Sequence, residues 1–212
     1  MPLLRSAILQ TAGFSHAFPT RDVTNEELLL GAGGERLVRV KQVHGARVVV
    51  ASEAAGQEAD ALVCREKLVS VGIAVADCVP VLVADEASGD VAAIHAGWRG
   101  VVAGVVGAAL DRLGGDRWVA AIGPSIGPCC FEVGREVADQ VGFVVREEGA
   151  KAYVDLRAAV RAELRARGIP DERIEDVPGC TKHEARFHSY RRDGAGSGRM
   201  VATITARGPR AS

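Results

Sequence analysis

The chain has 212 residues, 48% of them hydrophobic and 25% charged, with 26 basic side chains against 27 acidic ones, the size and balance of a globular protein with one sizeable core. A net charge of −1 and 4% aromatic residues argue against nucleic-acid binding, which calls for a basic excess or for stacking platforms. No apolar run reaches the ~18 residues of a membrane span, and the opening MPLLRSAILQTAGFSHAF is too broken for a signal peptide, so a cytoplasmic protein without a membrane partner is expected.

Along the chain, short β-branched runs come first: LVRVKQVH (37–44), ARVVVA (46–51), ADALVC (59–64), VGIAVAD (71–77), PVLVAD (80–85) and VAAIHAG (91–97). Glycine, proline and acidic residues punctuate them, as in strands buried on at least one face. A helix is expected from Arg99 to Leu113, stopped by Gly114-Gly115, then a strand at WVAAIG (118–123) and a shorter helix around Glu132 to Val141. The clearest helix begins after Asp155, where Leu156, Val160 and Leu164 recur on one face. Asp155 suits its N-cap, Gly168 its C′ position, and Pro170 follows where the helix has ended. MVATITA (200–206) closes the chain as a strand. No linker, repeat or compositional break divides residues 1–212, so the reading is one mixed α/β (α+β) domain of undetermined strand order.

Three segments concentrate unusual residues: KQVHG with His44, ADC with Cys78, and IHAGWRG with His95. Catalytic zinc sites commonly take three protein ligands and leave a fourth position open, and these residues supply such a set. Their long spacing matches no short metal-binding pattern. Core packing is the competing reading, because free cysteine and single strand histidines are often buried structural groups. A second rival is a thiol hydrolase, with Cys78 as nucleophile and His95 as base. Asp77 is a poor orienting group there, since adjacent strand residues face opposite sides. Polar groups crowding strand ends, including Asp77, Trp98 and Arg99, favour a site.

The five cysteines are Cys64, Cys78, Cys129, Cys130 and Cys180, an odd number in a chain large enough to fold without disulfides. Reduced thiols in structural or metal-binding roles fit them. Cys129-Cys130, within IGPSIGPCCFEVG, reads as a glycine- and proline-dominated turn, or as a loop beside the site. In FHSYRRDGAGSGRM (187–200), Ser189, Arg191, Arg192 and Arg199 suit an anion, against the alternative of a solvated loop. His183 and His188 lie near enough in sequence to be further ligands. GAGSG opens no helix, which excludes a dinucleotide-binding fingerprint.

Together, QVHG, ADALV, ADCVPVLV, AIHAGWRG, IGPSIGPCCFEVG and SYRRD with GRM resemble the YfiH family in identity and order, from about Lys41 to Thr205. Its members are described as laccase-domain proteins, polyphenol oxidases, peptidoglycan-editing factors or zinc-dependent purine nucleoside phosphorylases. The resemblance implies a catalytic zinc on His44, Cys78 and His95, and a four-layer α/β/β/α sandwich with mixed sheets. It also implies a purine nucleoside and phosphate as partners. The reactions implied are phosphorolysis of adenosine, inosine and methylthioadenosine, and deamination of adenosine. In that setting Asp77, Arg99, Ser189, Arg191 and Arg192 are the candidates for substrate and anion contacts. Peptidoglycan editing, polyphenol oxidase activity and a metal-free Cys–His hydrolase are the alternatives, and oligomeric state is left open. Two departures stand out: the stretch between HAFPTR and KQVHG is short for the family, and His188 stands where a second aromatic is usual. A four-copper laccase does not fit, because the chain has five histidines and its two methionines are Met1 and Met200. A single adventitious copper remains compatible with weak oxidase activity.

Overall fold

In the computed structural model, residues 3–208 are described, and two mixed sheets stack face to face between helices. Elements are numbered in chain order. One sheet has the order β1 (Leu3–Leu4), β2 (His16–Pro19), β14 (Met200–Thr205), β6 (Val69–Val75), β3 (Arg36–Val38). The other runs β13 (Ile174–Asp176), β9 (Trp118–Ile122), β7 (Val79–Asp85), β8 (Val91–Ala96), β5 (Ala61–Cys64), β4 (Val48–Val50). Both are antiparallel except at β3–β6, β4–β5 and β13–β9, which are parallel.

Side-chain alternation assigns each face of the larger sheet to a different core. Ala61 and Val63, Val81 and Val83, Ala92 and Ile94, Ala120 and Ile122 face one way. They bury against α4 (Val105–Leu113) and α6 (Leu156–Ala166) through Val106, Leu110, Val160 and Leu164. Leu62, Leu82, Ala93 and Ala121 face the other way and pack on Val71, Ile73, Ala202 and Ile204 of the smaller sheet. Leu9 of α1 (Ala7–Thr11) joins this inter-sheet layer. Beyond the smaller sheet, Leu28 of α2 (Asn25–Ala32) covers Ala17 and Val201. The order α, β, β, α is the four-layer sandwich that the family resemblance implies. A small sheet, β10 (Glu132–Gly134), β12 (Lys151–Val154) and β11 (Val144–Glu148), packs with α5 (Arg135–Val141) at the rim of the helical layer. No helix of the described residues is long and apolar enough to cross a membrane.

The α6 expectation holds in detail: the Asp155 carboxylate accepts the Ala158 amide, and Gly168 takes a left-handed φ of 92°. Three expectations need correction. The helix expected from Arg99 to Leu113 is two, α3 (Trp98–Val102) and α4, because Gly104 sits between them at φ 78° and turns the axis. The helix expected at Glu132 starts at Arg135; residues 132–134 pair with β12 instead. The run 37–44 ends as a strand at Val38, after which only Lys41 makes an isolated bridge, to Glu58. His44 therefore sits on a loop rather than a strand end.

Candidate metal centre

The β7–β8 ladder pairs Pro80 with His95 and fixes which way the imidazole points. On β8, Ala92, Ile94 and Ala96 face the helices, so His95 shares the inter-sheet face with Val91 and Ala93. A slip of one residue would turn it into the helical layer. Cys78 lies in the bend between β6 and β7 and packs against the same inter-sheet core. His44 reaches the spot from the QVHG loop with a left-handed φ of 60°, a conformation that histidine tolerates better than most residues. The ligand atoms of His44, Cys78 and His95 all lie within 4.8 Å of one another. The two imidazoles meet edge to face, 4.8 Å between ring centres.

Asp60, the acid inside the apolar ADALVC run, organises this triangle. It is fully buried, and its Oδ1 accepts His95 Nδ1 at 2.8 Å and the His44 amide at 2.9 Å. Its Oδ2 accepts the amides of Gly45 at 2.7 Å and Val43 at 3.3 Å. One carboxylate thus shapes the His44 loop and fixes His95 with its proton on Nδ1, leaving Nε2 free to bind. Gln42 pins the same loop to the sheet, donating to Ala74 O at 2.8 Å and accepting the Ala74 amide at 2.7 Å. Sequence reasoning missed Asp60; its signal was an ionisable residue in a run that buries everything else.

Electrostatics pair the thiol with the imidazole. Burial opposes ionisation of Cys78, but hydrogen bonds and charge from His44 and His95 outweigh it and bring its pKa down to about 6. Burial likewise works against protonated His95, while Asp60 and Cys78 raise its pKa to about 9. Both shifts favour transfer of the thiol proton towards the imidazole when no metal is bound.

The donor set suits a borderline-soft transition metal, being one thiolate and two imidazoles. Gly97 supplies an independent geometric test. A Cβ there would lie 3.1 Å from Cys78 Sγ, 3.1 Å from His44 Cδ2 and 3.8 Å from His95 Cε1. The HAG glycine thus leaves the space directly over the three donors clear. The three donors also border a cleft of about 600 Å³ lined by Arg39, Asp77, Trp98, Arg99, Tyr190, Arg191 and Arg199, among others.

The remaining candidates divide between this cleft and its supports. Arg99 lies in the cleft, its guanidinium 4.3 Å from the Trp98 ring centre. Arg191 also lines it and donates to Glu132 O at 2.7 Å. Asp77, at φ 90°, accepts the Thr181 hydroxyl and the Arg191 amide, each at 2.6 Å. These bonds tie the Cys78 bend to the turn at Thr181 and to the short helix that carries Arg191, and hold a strained backbone in place. Arg192 is turned away from the cleft: its guanidinium donates to Thr181 O at 2.9 Å and Phe187 O at 2.7 Å. Ser189 is buried as the N-cap of α7 (Tyr190–Asp193), accepting the Arg192 amide. Both brace the segment from which Tyr190 and Arg191 face the cleft. Arg199, expected to suit an anion, also lines the cleft, and Arg39 is a further cleft cation that the sequence did not single out. His188 stands off the centre, its ring 2.5 Å from where a Cβ on Gly198 would sit. His183 gathers with Cys129, Cys130 and Cys180 elsewhere.

The family described as multi-copper polyphenol oxidoreductase laccase matches residues 20–207. The chain is 40% identical to adenosine deaminase RL5 of an unknown prokaryotic organism, over 82% of this chain and 77% of that protein. It is 38% identical to purine nucleoside phosphorylase SCO2081 of Streptomyces coelicolor, over 88% of this chain and 83% of that one. The crystal structure of Bacillus licheniformis YfiH superposes with a TM-score of 0.85 at 24% identity, covering 98% of this chain and 97% of that chain; at that identity the likeness speaks for the fold.

Proposed function

The chain belongs to the multi-copper polyphenol oxidoreductase laccase family, and on that premise we propose that it is a zinc-dependent enzyme of purine nucleosides. In this reading it catalyses phosphorolysis of adenosine, inosine and methylthioadenosine, and deamination of adenosine to inosine, in the cytoplasm. The observation that carries the reading is the triangle of His44, Cys78 and His95, organised by buried Asp60 and open to an arginine-lined cleft. Relatives named adenosine deaminase and purine nucleoside phosphorylase supply the substrate class.

His44, Cys78 and His95 would hold the metal, which supplies Lewis acidity at neutral pH. Asp60 keeps the His95 proton on Nδ1, so that Nε2 stays a donor lone pair. Arg191, Arg99 and Arg199 bring positive charge to one cleft, where bidentate guanidinium contacts suit the phosphate co-substrate. Trp98 and Tyr190 offer aromatic faces in the same cleft, as a purine base requires. Asp77 positions the Cys78 bend, and Ser189 and Arg192 position the loop that presents Arg191. Copper binding at these donors would give at most a single centre, since two of the chain's five histidines belong to it.

The test combines metal analysis with product analysis. Purified protein is expected to hold zinc at the triangle and to lose it in Cys78→Ala. With adenosine and phosphate it should release adenine, and without phosphate inosine. Zinc-loaded protein that leaves every purine nucleoside untouched would reject the substrate class.

One observation favours a second reading. Cys78, His95 and Asp60 also form a thiolate, imidazole and carboxylate relay, the arrangement of a metal-free cysteine hydrolase. A chelator should abolish turnover in the first reading and leave it intact in the second.

A further inference from the structure

Two segments distant in sequence bring four metal-binding side chains together away from the cleft. Residues 127–130 form a turn that carries Cys129 and Cys130, and residues 180–183 carry Cys180 and His183 in a Cys-x-x-His spacing. All four donor atoms lie within 4.8 Å of one another. Cys129 Sγ stands 3.5 Å from Cys130 Sγ, 3.9 Å from Cys180 Sγ and 3.6 Å from His183 Nδ1. A tetrahedral zinc with ordinary bond lengths separates two sulfurs by about 3.8 Å and a sulfur from a nitrogen by about 3.6 Å. The three edges that meet at Cys129 are close to those lengths.

We propose that Cys129, Cys130, Cys180 and His183 form a second, structural zinc site, independent of the triangle at His44, Cys78 and His95. A closed set of three thiolates and one imidazole leaves no position for substrate and is the pattern of structural zinc. The surrounding backbone is arranged for thiolate sulfur. The Gly127 amide donates to Cys180 Sγ at 3.3 Å. Gly127 itself faces the cluster: a Cβ there would stand 3.3 Å from Cys129 Sγ and 3.4 Å from Cys180 Sγ. Three sulfurs and an imidazole gathered this closely suit a divalent ion that pairs with the thiolates.

The placement gives the ion a purpose. The first segment continues into Ile126 on one side and Phe131 on the other, both lining the cleft. The second begins at Cys180, bridged to Ser125, and runs through Thr181, whose hydroxyl donates to Asp77. Zinc would clip these two segments together and so fix the wall beneath Tyr190 and Arg191.

The test is metal stoichiometry on reduced, full-length protein, read beside thiol protection. Wild type should hold about two zinc per chain, and Cys180→Ser or His183→Ala about one. His95→Ala should also hold about one, because it empties the other site. In zinc-loaded wild type, iodoacetamide should label Cys129 at least about tenfold more slowly than after chelator treatment, since the thiolate is the reacting species. That second measurement needs no variant to fold. About one zinc in wild type, lost with His95→Ala and kept with His183→Ala, would overturn the proposal. So would Cys129 labelling at the same rate with and without chelator, or a wild-type mass short by two hydrogens that maps to a disulfide among these cysteines.

Discussion

Replacing Asp60 with asparagine separates what a buried carboxylate does from what its shape does. Its two oxygens accept four N–H donors, two at each oxygen. Asparagine offers one accepting oxygen and one donating NH2, so one pair of donors is stranded whichever way the amide turns. With the oxygen towards His95, the NH2 confronts the Gly45 and Val43 amides and the His44 loop loses its anchor. Turned the other way, His95 must accept at Nδ1 and carry its proton on Nε2, the atom a metal needs. A charge-assisted hydrogen bond contributes ~1.5–3 kcal/mol and a stranded buried donor costs ~1–3 kcal/mol. Their overlap sets an expected loss of about 1.5–3 kcal/mol, which for a chain of this size lowers Tm by roughly 3–12 °C. Zinc affinity at the triangle should fall about 10–100-fold. Thermal unfolding of metal-free protein gives the first number, and competition with a chromophoric chelator gives the second. The His95 pKa, held up by Asp60 and Cys78 against burial, should also drop in an NMR titration. A variant with zinc affinity within about twofold of wild type and a Tm within about 1 °C would refute the argument.

Gly97→Ala keeps an allowed backbone, since Gly97 already has φ −73° and ψ 161°, yet sets a methyl 3.1 Å from two donor side chains. Zinc affinity should fall at least about tenfold while unfolding free energy stays within about 1 kcal/mol; unchanged affinity would remove Gly97 from the site. Arg191→Ala should raise the KM for phosphate about tenfold at constant Tm, as loss of an exposed cleft cation predicts. Arg192→Ala should instead cost about 3 kcal/mol in denaturant unfolding, because it releases the Thr181 and Phe187 carbonyls; the reverse pattern would show the two roles misassigned. His16 is buried and neutral, accepting the Ser6 amide at Nε2 and donating from Nδ1 to Phe14 O. Burial chiefly lowers its pKa from 6.5 to about 4. Its unfolded form therefore binds more protons between those values, so stability is full above 6.5 and declines as pH falls through 4. The loss should reach about 3 kcal/mol and be absent in His16→Gln; parallel pH profiles would refute it.

The sequence by itself determined the materials of both the fold and the triangle. Alternation in VAAIHAG already separates the face of Ile94 from that of His95, because strand side chains alternate whatever the strand pairs with. The Asp155 cap, the Leu156, Val160 and Leu164 stripe and the Gly168 terminus are local matters, settled within one helix. The motif order was specific enough to single out His44, Cys78 and His95 although they lie far apart in the chain. Local signals failed where a neighbour decides. The run 37–44 has strand composition throughout, yet Asp60 and Gln42 bind its end as a loop. Gly104 breaks a helix that composition alone would continue. Arg191 and Arg192 are chemically alike, and only the carbonyls of residues 181–187 turn one inward while its neighbour faces the cleft. Asp60 shows the same limit: an acid in an apolar strand is visible as an oddity, but its four donors arrive from two segments, the 43–45 loop and β8, that meet it only in the folded chain.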